Sequence, residues 1–191
     1  NEKQGTLEGR LFEVASIYIP ESLPLTSYPD ERKVLCVGTF GNNESFFTMK
    51  GIANTIAESM DIAFTYEPVQ KSFLHPYQAV KVLCEGTEIG YFGKAAYDIQ
   101  NELSMRTSAY IMELDLKELS RWYGKKRTFQ PISKFQEEKR DLAFVMDKNI
   151  SCGDVENCIR EANKYVKEIR LFDVYEGGQI PEGKKSMAFT V

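Results

Sequence analysis

The sequence predicts an α+β fold in two units, an antiparallel sheet domain over residues 1–127 and a β-α-β-β unit over residues 128–191. Three observations carry this. Over the first two thirds, short runs rich in β-branched and aromatic residues alternate with Gly, Pro and Asn clusters, and only one long apolar stripe has helical spacing. A glycine inside a basic aromatic cluster, Arg121-Trp122-Tyr123-Gly124-Lys125-Lys126-Arg127, marks a boundary. The last third then reads strand, amphipathic helix, strand, Gly-rich turn, strand.

Residues 11–19 alternate and are rich in strand formers, and Pro20, Pro24 and Pro29 mark a loop after them. A second strand, Lys33 to Phe40, ends at Gly41-Asn42-Asn43. Met49, Ile52, Ala53, Ile56, Ala57 and Met60 recur at three and four, the stripe of one helix. A strand starts at Phe64–Tyr66, and Glu85-Gly86-Thr87 between Ala79–Cys84 and Glu88–Phe92 is a hairpin signal. The strand Ala109 to Leu114 is followed by Asp115, which can cap a short helix with Glu118 in the reciprocal position. In the second unit Leu142, Phe144 and Met146 share one strand face. Val155, Cys158, Ile159, Ala162, Tyr165, Val166 and Ile169 predict a helix, with Ser151 and Asp154 at its cap. Strands at Ile169–Tyr175 and Lys185–Val191 follow, the last with Met187, Phe189 and Val191 on one face.

The net charge of −4 argues against a chain that binds nucleic acid through bulk charge. Splitting the chain changes little. Residues 1–127 hold 14 basic and 17 acidic residues, and residues 128–191 hold 10 and 11. An RNA contact would need a local patch. No apolar run reaches the length of a membrane span, and Asn1-Glu2-Lys3-Gln4-Gly5 lacks the apolar stretch of a secretory signal. The cysteines Cys36, Cys84, Cys152 and Cys158 form no Cys-x-x-Cys pair, the pattern of reduced thiols in a cytoplasmic protein.

Few residues advertise chemistry. His75 is the only histidine, and in Phe73-Leu74-His75-Pro76 it is expected to bond backbone near a turn. Gly90-Tyr91-Phe92-Gly93 has glycines but no G-x-G-x-x-G opening a helix, so phosphate binding is a weak reading. Glu13, Glu113 and Asp115 lie on or beside strands, where two carboxylates in one cleft could do acid–base work or simply face solvent. The cluster Arg121–Arg127 suits either RNA stacking or a solvated linker. Lys184-Lys185, beside a turn, can reach phosphate or stay solvated.

Taken in order, these words resemble a known family. Ile132-Ser133-Lys134-Phe135, Arg140-Asp141-Leu142-Ala143-Phe144-Val145, Leu171-Phe172-Asp173-Val174-Tyr175 and Pro181-Glu182-Gly183-Lys184-Lys185-Ser186 are similar to the ferredoxin-fold anticodon-binding domain of bacterial phenylalanyl-tRNA synthetase beta subunits. Upstream, Leu11-Phe12-Glu13-Val14, Phe46-Phe47-x-x-Lys50-Gly51, Phe73-Leu74-His75-Pro76 with Ala79, Ile89-Gly90-x-x-Gly93 and Met112-Glu113-Leu114-Asp115-Leu116 resemble the class II synthetase-like core of the same subunits. The chain departs from the pattern at Asn54, at Tyr77-Gln78-Ala79 and at Ala95-Ala96-Tyr97, which counts against a small-molecule role for that surface.

The resemblance implies a class II synthetase-like, non-catalytic core followed by an incomplete ferredoxin-like domain whose last helix and strand lie beyond Val191. It implies partners, namely a catalytic alpha subunit within a heterotetramer and tRNA(Phe), and no membrane. It implies no cofactor here, with ATP and magnesium held by the alpha subunit. It also implies a cytoplasmic location. Lys134, Lys139, Arg140, Lys184 and Lys185 are then the candidates for RNA contact. Two readings compete. A ferredoxin-fold regulatory module would show a ligand-sized apolar pocket. A freestanding enzyme would bring Glu13 and Glu113 into one cleft with shifted pKa values.

Overall fold

The computed structural model describes residues 5–124 and 136–191. The chain divides into two compact units, residues 1–128 and 129–191. The stretch Lys125–Arg127, the boundary expected after it, and Lys134 lie outside the described residues.

The first unit contains β1 (Gly9–Ile19), β2 (Asp30–Phe40), α1 (Phe46–Ser59), β3 (Phe64–Pro68), β4 (Leu74–Cys84), β5 (Thr87–Ala95), α2 (Tyr97–Glu102), β6 (Ala109–Asp115) and α3 (Leu116–Ser120). Its six strands form one antiparallel sheet in the order β1-β2-β6-β5-β4-β3. The helix α1 starts three residues before its apolar stripe does, because Ser45 Oγ accepts the Thr48 N–H at 3.1 Å and satisfies an otherwise free donor. Met49, Ala53 and Ala57 of α1 are buried, and Met49 and Ala53 pack with Val82, Phe92, Met112 and Leu114 from the centre of the sheet. The β4–β5 turn places Glu85 and Gly86 at φ 47° and 80°, the left-handed pair that a tight hairpin needs.

Three details differ from expectation. The strand β4 begins at Leu74 rather than Ala79, with a register shift between them, and that irregularity accommodates Pro76, which cannot donate to a ladder. The helix α2 has no side-chain cap and no sequence signal, and it is tied down by tertiary bonds instead. Of the box expected at Asp115, one half forms. Asp115 Oδ1 accepts from Lys117 N and Glu118 N, while the Glu118 carboxylate pairs with Arg121 at 2.8 Å. Trp122 is buried in the core of this unit, whereas its neighbour Tyr123 is exposed, so of the two described rings in the basic aromatic cluster only that of Tyr123 is open to stacking.

The second unit contains β7 (Asp141–Asp147), α4 (Cys152–Ala162), β8 (Arg170–Tyr175) and β9 (Lys184–Thr190). The element order β-α-β-β and the strand order β7-β9-β8 are those expected of a ferredoxin-like unit. Both halves of the capping box form at Ser151 and Asp154. The helix stops at Ala162 and does not run on to Ile169. Asn163 turns extended, and its Oδ1 accepts the Tyr165 N–H at 2.9 Å, a local bond that replaces the next helical turn. Tyr165 is therefore exposed, while Val166 and Ile169 reach the core from a connecting segment. Ile159, Met187 and Phe189 form the buried centre. On the sheet, Leu142 and Phe144 of β7 are exposed, whereas Met187 and Phe189 of β9 are buried. The strand β7 pairs with β9 alone among the described strands.

Candidate functional site

The basic residues of the second unit sit at opposite ends of one sheet. Lys139 and Arg140 precede β7, and Arg140 exchanges backbone bonds of 2.9 and 2.8 Å with Val191. Lys184 and Lys185 open β9, opposite Asp147 and Met146 at the far end of β7. From Arg140 to Met146, opposite Lys185, is six residue steps along the strand, about 20 Å. The structure thus makes two small patches and not one. Each is tempered by carboxylates. Arg140 pairs with Glu138, and Lys184 Nζ lies 2.8 Å from Asp147 Oδ1. Two further cations join these patches. Arg170 stands opposite Thr190, which stands opposite Asp141, so it shares the Arg140 end. Lys148 lies beside the Lys184 turn and pairs with Glu176 at 2.7 Å. Sequence reasoning missed both, because their place depends on strand register and turn geometry that spacing along the chain does not reveal.

The first unit offers a different surface. On the face away from α1, the register aligns Glu13, Cys36, Glu113 and Tyr91 in one row across β1, β2, β6 and β5. Glu13 and Glu113 are two strand spacings apart, about 10 Å, with Cys36 between them. Burial, then the Glu113 and Glu13 carboxylates, push the Cys36 thiol up, so it stays protonated. Burial and then Glu113 push the Tyr91 phenol up to about 12. The row therefore holds a neutral thiol and a neutral phenol, which are poor nucleophiles and poor bases near neutral pH. Tyr91 and Glu113 of this row also line a cleft of about 340 Å³ with Asp115, Glu88, Arg32 and Lys71, so Glu113 and Asp115 share it and Glu13 does not. Arg32 bonds Asp30 at 2.6 Å, which holds the Asp30 carboxyl below its ordinary range, and lies 3.9 Å from Asp115.

His75 bonds backbone as expected, its Nδ1 accepting the Tyr77 N–H at 3.2 Å. Among the described residues, no three His, Cys, Asp or Glu side chains gather as a metal site. Gly90 and Gly93 lie inside β5, where a side chain at Gly90 would strike Glu113 O at 2.0 Å and one at Gly93 would strike Gln78 O at 2.6 Å. They serve strand packing and form no phosphate loop. The longest apolar exposure belongs to β1, an edge strand of the sheet. Phe12 is 76% exposed, and Leu11, Val14, Tyr18 and Ile19 are also open. No described helix of the chain is long and apolar enough to cross a membrane.

Both units have counterparts among known proteins. Residues 1–116 match the family model of the phenylalanyl tRNA synthetase beta chain CLM domain, and residues 133–191 match that of the ferredoxin-fold anticodon binding domain. Among curated relatives, the phenylalanine–tRNA ligase beta subunit of Bacillus licheniformis is 38% identical over 76% of this chain and 18% of its own length. That of Clostridium tetani is 31% identical over 100% of this chain and 24% of its own. That of Bacillus subtilis is 31% identical over 95% of this chain and 24% of its own. The chain thus spans less than a quarter of the length of these relatives.

Proposed function

The chain belongs to the phenylalanyl-tRNA synthetase beta chain family, and on that premise we propose that it works as part of such a beta subunit, supporting a catalytic alpha subunit and contacting tRNA(Phe) during aminoacylation. The observation that carries this is the succession of two family matches along one chain, a beta-chain domain and then an anticodon-binding domain. In this reading residues 1–127 are a class II synthetase-like core without working residues, and residues 128–191 are the RNA-facing domain. The neutral thiol and phenol in the Glu13–Glu113 row support a non-catalytic core. Lys139, Arg140, Lys184 and Lys185 reach tRNA phosphates from two ends of the second sheet, and Lys134 belongs to the same proposal. The alpha subunit carries ATP and magnesium, this chain carries no cofactor, and the assembly works in the cytoplasm as a heterotetramer. The apolar residues of β1, Phe12 and Val14 among them, are what a partner subunit would cover.

The metabolite-binding alternative finds no support. The cleft of the second unit, about 240 Å³, is lined mainly by Lys148, Glu176, Glu182 and Lys184, with Ile180 and Pro181 as its apolar part, and is not the mainly apolar pocket a metabolite site would show.

The test is retention of an alpha subunit on the tagged chain, scored with ATP–pyrophosphate exchange driven by phenylalanine. The chain alone is expected to give no exchange, to retain the alpha subunit, and to release it on Phe12→Arg with Val14→Arg. Exchange above background in a preparation free of alpha subunit would refute the reading, as would failure to retain the alpha subunit at all.

A further inference from the structure

The end of the first sheet where β4, β5 and α2 meet holds a buried ammonium among exposed rings. Lys94 is 8% exposed. A lysine so placed ordinarily has a carboxylate, because burying an unpaired charge is costly. Here, among the described residues, its polar partner is the Tyr97 hydroxyl at 3.3 Å, and its ammonium lies 4.7 Å from the centre of the same ring. His75 meets the edge of Tyr97 at 5.2 Å and 80°, and stands 6.1 Å from the ring of Tyr77. Since His75 Nδ1 accepts the Tyr77 N–H, a neutral imidazole carries its hydrogen on Nε2 and presents a donor. The Tyr97 hydroxyl, accepting from Lys94, keeps its own hydrogen to donate. The cluster therefore offers an ammonium, an imidazole N–H and a phenol O–H, all donors. Beside them Tyr77 holds its ring 91% exposed to solvent.

The floor is fixed. Gln100 donates to Ala95 O at 2.8 Å and accepts from Ala109 N at 3.3 Å, and Ala96 N bonds Phe73 O at 3.0 Å. These bonds join β5, α2, β6 and the start of β4 behind the rings, so the donors are held in place before any ligand arrives.

We infer that Lys94, His75, Tyr97 and Tyr77 form a contact site for single-stranded RNA, the donors taking one backbone phosphate and the Tyr77 ring stacking a neighbouring base. Donors without a carboxylate select an anion, and an open aromatic face beside them selects a base over an acidic side chain, which has nothing to stack. This inference rests on the RNA-binding reading above but uses the first unit, where that reading placed no RNA contact.

The test is fluorescence anisotropy of a labelled twelve-nucleotide single-stranded RNA of mixed sequence against the whole chain, over a salt series. Tyr77→Ala, at an exposed position, is expected to weaken binding about five- to a hundred-and-fiftyfold, the usual worth of one stacked base. Tyr77→Phe should retain the affinity. Lys94→Met, with its fold checked by circular dichroism, should lower the slope of log affinity against log salt by about 0.7, the worth of one single-strand phosphate. Lys184→Ala with Lys185→Ala runs in parallel. If that double variant weakens binding while Tyr77→Ala and Lys94→Met leave affinity and slope unchanged, this site is overturned and the second-unit reading stands. If the unaltered chain binds no RNA even at low salt, both fail. Binding of a poly-glutamate peptide that Lys94→Met abolishes, with RNA affinity unmoved, would make this a protein contact and overturn the inference.

Discussion

At the scale of single residues, close backbone approach decides more than chemical type. Gly93 faces Gln78 O and Ala79 Cα at distances a methyl group cannot share, whereas Gly38 on β2 has open space around it. Gly93→Ala is expected to lower the stability of the first unit by about 1–3 kcal/mol, the usual cost of overpacking, and Gly38→Ala to change it far less, as read from the urea midpoint. The sequence marks these glycines as unusual without saying why. A glycine in a strand and a glycine in a phosphate loop look alike until the neighbouring strand is known. The same limit applies to Arg170 and Lys148, whose types are visible in the sequence and whose neighbours are not. Lys94 is a sharper case, since nothing in Phe92-Gly93-Lys94-Ala95 foretells a buried ammonium.

At the scale of elements, periodicity and capping are legible in the sequence, and endings are not. The cap at Ser151 is read correctly from spacing, and of the stripe within α4 Val155 and Ile159 reach the core while Cys158 and Ala162 are exposed. The end of α4 is not legible, because Asn163 competes for the backbone through a bond whose formation depends on the chain turning away. Ile159→Ala is expected to cost about 2–5 kcal/mol in the unfolding of the second unit, since Ile159 is buried against Met187 and Phe189. The cap also sets a pH dependence. The Ser151 hydroxyl and backbone N–H both donate to Asp154, and they hold its carboxyl below the ordinary value. A carboxyl lowered in the folded state contributes stability above its unfolded value of about 3.9 and loses it as pH falls through the lower, folded one. The protection factors of the amides in the first turn of α4, corrected for the intrinsic exchange rate at each pH, should therefore fall below about pH 4, and Asp154→Asn should remove that acid-induced step.

At the scale of the whole molecule, the separation of the cationic patches across the second sheet makes a quantitative expectation. Patches about 20 Å apart share no partner and act independently. Lys139→Ala with Arg140→Ala, and Lys184→Ala with Lys185→Ala, should each flatten the salt dependence of RNA binding, by about 0.7 for each phosphate no longer neutralised. Combining all four should give the sum of the two changes in the same anisotropy titration. A sum far short of that would mean that RNA engages only one end. The strand order in the first unit, β1-β2-β6-β5-β4-β3, carries a consequence of another kind. The hairpins β1–β2 and β4–β5 are local, but the seam that makes one sheet of them pairs Phe40 with Ala109 and Val34 with Asp115. Closing so long a loop is entropically slow, so the seam forms late. While the ribosome has delivered the chain only as far as β5, two hairpins wait with open edges for a strand not yet made. Ala109–Asp115 is thus the keystone of assembly, and until it emerges the nascent chain is at its most adhesive.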